Sequence, residues 1–137
     1  MKEESLDTNV LLRLALGDIP EQFDQVEALL SRGNVTFMVA DAAIVELVFA
    51  LQTHYGMSRA AVADTVMSLL NVDAIKASTS LFERVSTQFV THPTLSFADC
   101  YLAEYARQSS AAPLWTFDNK LANQHECAQM VPDDVRF

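Results

Sequence analysis

Short β-branched and aromatic runs alternate with longer amphipathic stretches along the chain, and no other feature constrains its fold as strongly. Residues 35–40, 72–77 and 113–117 have the composition of strands. Residues 5–6 end a short first strand, and 127–131 form a last one. The stretches between them repeat apolar residues at helical spacing. Residues 10–16 predict a helical turn or two. Pro20 opens a helix with Phe23, Val26, Leu29 and Leu30 on one face, stopped by Gly33-Asn34. Asp41 is expected to cap a helix whose Ile44, Leu47, Val48, Leu51 and Tyr55 share a face, and Gly56 to end it. Ser58 caps the next, with Val62, Val66, Leu69 and Leu70 on one side. Residues 80–90 are helical up to His92-Pro93. Thr94 or Ser96 starts a helix to about Arg107, and a short one follows from Asn119. Alternation of this kind implies an α/β fold, a three-layer α/β/α sandwich with a mainly parallel central sheet. No repeat or linker interrupts it, so residues 1–137 are expected to form one domain.

Charge narrows the function. Nine basic side chains stand against eighteen acidic ones, a formal net charge of −9. Such a chain is poorly suited to gripping duplex DNA through a broad basic face, so contact with a polyanion must be local or bridged by cations. Cys100 and Cys127 have no metal-ligand or CxxC spacing and are expected to be unpaired thiols. The start MKEESLDTN lacks the apolar stretch of a signal peptide, and no window approaches a membrane span. The expected location is the cytoplasm.

In a parallel sheet, ligands bind beyond the carboxyl ends of the strands. Asp7 and Asp118 each follow a candidate strand there. Each also suits a helix N-cap, and Ser96-x-x-Asp99 has the form of a capping box. Glu46 is the one charge in AAIVELVFAL, where burial would be costly and exposure between apolar faces is the plain alternative. Singly these acids say little. Clustered, they would repel and raise one another's pKa, which a divalent cation relieves. Oxygen-only ligands favour Mg²⁺ or Mn²⁺, ions that polarise phosphates and acidify bound water.

The segments LDTNVLLRL, the lone Glu46, SFADCYLAEYA and LWTFDNKLA resemble the four motifs of PIN domains, with Asp7, Glu46, Asp99 and Asp118 at intervals of 39, 53 and 19 residues. A stand-alone chain of this size is similar to the VapC-type toxins of toxin–antitoxin pairs. The resemblance implies a Mg²⁺- or Mn²⁺-dependent endoribonuclease. Asp7, Glu46, Asp99 and Asp118 would be its catalytic and metal-binding acids, with Asn9 orienting Asp7 and Thr116 giving hydrogen-bonding support. Arg13 and Lys120, beside the motifs, are candidate contacts to RNA or a partner. The resemblance also implies a homodimer and a cognate antitoxin with a basic C-terminal tail reaching the acidic cleft. One departure is plain: Lys2, Glu3 and Glu4 stand where a central first strand is expected to be apolar.

The expected substrate is single-stranded RNA or an RNA loop, whose backbone can be splayed into a cleft. A PIN-like binding module without activity is the alternative. A small phosphatase-like α/β domain fits less well, since Asn9 stands where its second Asp would be. His54, His92 and His125 match no HExxH or triad pattern and are expected to be structural or surface residues. Trp115 and the eight Phe are expected mainly in the core.

Overall fold

The computed structural model describes residues 2–133, which form seven helices and five short strands in the expected alternation. Every strand pairing is parallel. The chain divides into two compact units, Met1–Thr79 and Ser80–Phe137.

In the first unit, β1 (Lys2–Ser5), β2 (Val35–Met38) and β3 (Ile75–Lys76) lie in the order β1-β2-β3. β1 runs beside β2 from Lys2↔Val35 to Ser5↔Met38, and β3 meets Phe37 and Met38. The central strand shows the period-two pattern, with Val35 and Phe37 buried between half-buried Thr36 and Met38. The polar first strand is accommodated through ion pairs. Glu3 lies 3.4 Å from Lys76, Glu4 3.3 Å from Lys2, and Glu4 also pairs with Arg32. The Arg32 hydrogen bond, then that from Lys2, lowers the Glu4 pKa.

Helices α1 (Thr8–Leu16) and α2 (Pro20–Leu30) connect β1 to β2, while α3 (Asp41–Thr53) and α4 (Arg59–Leu70) connect β2 to β3. Crossovers of this length are what parallel neighbours require. α3 buries Ile44, Leu47, Val48 and Leu51 as one stripe, and α4 buries Val62, Val66, Leu69 and Leu70. Burying each such side chain stabilises the fold by about 1.5–3 kcal/mol. The helix boundaries differ from expectation in several places. α3 ends at Thr53 with His54 as its C-cap, before Gly56. α2 ends at Ser31, whose N–H reaches the Glu27 carbonyl, before the Gly33-Asn34 pair. Ala40, not Asp41, is the N-cap of α3, and Asp41 lies in its first turn, where its charge favours the positive helix end. Gly17 ends α1 at φ 59°, and its N–H returns to the Arg13 carbonyl. That left-handed turn suits glycine.

In the second unit, α5 (Thr79–Thr91), which starts at the boundary, and α6 (Phe97–Gln108) precede β4 (Leu114–Thr116), α7 (Asn119–Gln124) and β5 (Ala128–Met130). β4 and β5 pair in register from Leu114↔Ala128 to Thr116↔Met130. Phe82 and Phe89 of α5 meet Phe97 of α6 at 6.1 and 5.3 Å between ring centres. Ser96 is the N-cap of α6, so of the two expected starts it is the later one that holds. No helix among the described residues is long and apolar enough to cross a membrane.

Candidate active site

Beyond the carboxyl end of β1 the chain reads Leu6-Asp7-Thr8-Asn9. Leu6 is buried and extends the parallel ladder through its N–H to the Met38 carbonyl. Asp7 then leaves the strand in extended backbone geometry and begins α1 as its N-cap. Its Oδ1 accepts from the N–H groups of Asn9 at 3.0 Å and Val10 at 3.3 Å. Both capping bonds fall on one carboxylate oxygen. The capping function and an exposed negative charge at the strand end are therefore compatible in one residue.

Glu46 is exposed on α3, opposite the buried stripe. Its environment is accordingly not the costly burial that AAIVELVFAL raised as a concern. The Thr8 hydroxyl donates to Glu46 Oε2 at 2.9 Å. The Ala43 carbonyl is also near that hydroxyl, at 3.5 Å. A hydroxyl has a single proton, so the shorter contact to the carboxylate is the one that holds it. Thr8 thus ties the start of α1 to the middle of α3, and Asp7 and Glu46 line one cleft of about 770 Å³. Asn9 and Arg13 line it too. Thr8→Val, which removes the hydroxyl at nearly constant volume, is expected to lower about tenfold any activity that depends on the Glu46 carboxylate while leaving the melting temperature nearly unchanged. Initial rates and a melting curve check this.

Arg13 is anchored in the cleft wall by two contacts. One guanidinium nitrogen donates to Asp18 Oδ1 at 3.0 Å, the other to the Tyr55 hydroxyl at 3.2 Å. The Tyr55 contact, with the Asp18 charge, raises the Arg13 pKa above its ordinary value. His54 and Tyr55, just past α3, also line the cleft. Thr8 was not a candidate in the sequence, His54 was expected to be structural or on the surface, and Tyr55, expected on the apolar face of α3, lies beyond the helix end and is exposed. The available signal was helical spacing, since Ala50 and His54 follow Glu46 at i+4 and i+8 and fall on its face.

The second unit repeats the strand-to-cap arrangement. Asp118 follows β4 and is the N-cap of α7, its Oδ1 accepting from Lys120 N at 2.8 Å and Leu121 N at 3.3 Å. The Thr116 hydroxyl accepts from Asp118 N–H at 3.0 Å. Lys120 is exposed. Asp99 is half-buried in the first turn of α6, and its N–H donates to Ser96 Oγ at 3.0 Å. Thr116, Asp118 and Lys120 are thus neighbours in this unit, as Asp7, Asn9, Arg13 and Glu46 are in the first.

Trp115 and Phe117, expected in the core, are exposed, at 53% and 80%. His125 is buried instead, 2.5 Å from Glu104 Oε2. Its Nδ1 accepts from Cys127 N–H at 3.0 Å, so Nε2 carries the proton shared with the carboxylate.

Among the described residues, no group of three or more His, Cys, Asp or Glu side chains is placed to hold a metal ion. The cleft of the first unit offers two carboxylates. That donor set fits Mg²⁺, which is commonly held by one or two carboxylates together with water and phosphate oxygens.

The family model of the PIN domain matches residues 5–125 of the 137. No curated protein matches the chain at a significant level.

Proposed function

The chain belongs to the PIN domain family, whose fold is of the nuclease type, and from this premise we propose that it is a metal-dependent endoribonuclease. The observation that carries the proposal is the link through Thr8, which sets Asp7 and Glu46, 39 residues apart in sequence, on one cleft beyond a parallel strand. The substrate is single-stranded RNA or an RNA loop, cut by hydrolysis of a phosphodiester.

Asp7 and Glu46 would hold Mg²⁺ or Mn²⁺. When bound, such an ion polarises the phosphate and lowers the pKa of a coordinated water. The chain's own residues orient the site. Thr8 fixes the Glu46 carboxylate, and the Asn9 and Val10 N–H groups fix that of Asp7. Asp99 and Asp118 enter the proposal through their motifs, and Thr116 supports the turn at Asp118. In this reading the protein is the cytoplasmic toxin of a toxin–antitoxin pair. It forms a homodimer and is inhibited by a partner whose basic C-terminal tail is drawn to the acidic cleft.

Purified protein incubated with structured cellular RNAs is expected to cut them with Mn²⁺ or Mg²⁺ and to leave them intact in EDTA. RNA left intact under both conditions, or cut equally well in EDTA, would refute the proposal. A ligand that binds only the native state stabilises it by RT ln(1 + [L]/Kd), about 2.7 kcal/mol at a hundredfold excess over Kd. Mg²⁺ is therefore expected to raise the melting temperature of the wild type, and Asp7→Asn to lose most of that rise.

A further inference from the structure

The net charge of −9 leaves an approaching polyanion dependent on local cations. Among the described residues lining the first unit's cleft, Arg13 is the only Lys or Arg. It follows Asn9 by one helical turn, so both lie on the cleft face of α1. Its side chain is only 15% exposed.

The two groups that hold its guanidinium come from different places. Asp18 follows the left-handed turn at Gly17, which brings the chain back beside Arg13. Tyr55 comes from the segment after α3, the helix that carries Glu46. The fork is thereby fixed between the end of its own helix and the end of the helix opposite. An ion pair with Asp18 alone would leave a long side chain free to swing. The added phenol contact holds the plane, and a guanidinium carries more N–H donors than these two contacts use. A planar fork with its orientation already set suits a phosphate, which it can meet through two parallel hydrogen bonds.

We infer that Arg13 binds a backbone phosphate of the RNA strand in this cleft, and that Tyr55 and Asp18 are positioning residues that set its fork. The inference rests on the nuclease reading and adds the contact by which so acidic a protein holds its substrate. Such a contact reads backbone and not bases, so its loss weakens all sequences alike.

The test measures binding, apart from cleavage. A fluorescein-labelled oligouridylate is titrated with the full chain at fixed Ca²⁺ and varied KCl, and binding is followed by anisotropy. Arg13→Gln is expected to weaken binding about tenfold and to reduce the slope of log K against log salt by about 0.7, the share of one phosphate contact on a single strand. Arg13→Lys is expected to keep the slope without recovering wild-type affinity, because a point charge replaces a fork. Tyr55→Phe, which removes one oxygen and no charge, is expected to keep the slope and weaken binding a few-fold. A structural role alone would not separate slope from affinity in this way. An Arg13→Gln slope equal to wild type, or Tyr55→Phe binding as tightly as wild type, overturns the inference. A wild type that binds and cuts RNA alongside such variants leaves the nuclease reading standing, whereas a wild type that neither binds nor cuts RNA removes both.

Discussion

Under the proposed function, Asp7→Asn is expected to lower RNA cleavage by at least about a hundredfold, since the metal contact that Asp7 would make supplies several kcal/mol of transition-state stabilisation and each ~1.4 kcal/mol is a factor of ten. The fold should survive the change. The cap on α1 uses only Oδ1, and the amide oxygen of Asn caps a helix about as well as a carboxylate. Asp7→Ala provides the contrast. It is expected to lose activity to the same degree and in addition about 1 kcal/mol of stability, because the Asn9 and Val10 N–H groups lose their acceptor. Rates and urea melts on the three proteins separate the two roles of one side chain. Near-wild-type, metal-dependent cleavage by Asp7→Asn would remove Asp7 from the proposed site.

Glu104→Ala, a change at a buried polar position away from the cleft, is expected to destabilise the protein by about 3–5 kcal/mol. The Glu104 side chain is 1% exposed and meets three basic groups. His125 Nε2 lies 2.5 Å away, Arg107 Nε 3.2 Å and Arg84 Nε 3.5 Å. Removing the carboxylate leaves the buried imidazole N–H without its acceptor and two guanidinium groups without their shared anion. Glu104→Gln retains an oxygen for His125 and removes only the charge, so its cost should be smaller. Chemical denaturation of the three proteins gives the order wild type, Gln, Ala. A loss under about 1 kcal/mol for Glu104→Ala would show that the cluster relaxes and rehydrates.

Features written in local spacing were legible in the sequence. Ser58 and Ser96 cap their helices through the N–H three residues on, as cap residues followed by apolar periodicity suggest. Asp7 and Asp118 combine a strand end with a cap, so their two candidate readings describe the same residues. Glu46 stood out as the single charge of an apolar stretch. Features that depend on tertiary contact were not legible. Thr8 meets Glu46 across 38 residues and Arg13 meets Tyr55 across 42, and no periodicity records such pairs. Nothing local marks Glu104, because His125, which completes its pair, lies 21 residues away. Hydrophobicity alone placed Trp115 and Phe117 inside, yet a short strand with exposed positions can present aromatic residues outward. The ends of α2 and α3 moved because Ser31 and Ala40 could serve there without the Gly or Asp that composition favoured.

Trp115 is the chain's only tryptophan, and it lies in the second of the two units. Its emission on heating or in denaturant therefore follows the loss of the surroundings of β4, whereas circular dichroism weighs the helices of both units. Coincident curves from the two signals would mean that Met1–Thr79 and Ser80–Phe137 melt as a single cooperative entity. Curves that part would mean that one unit holds its shape after the other has lost it. The position of this one indole makes the cooperativity of the molecule measurable without a label.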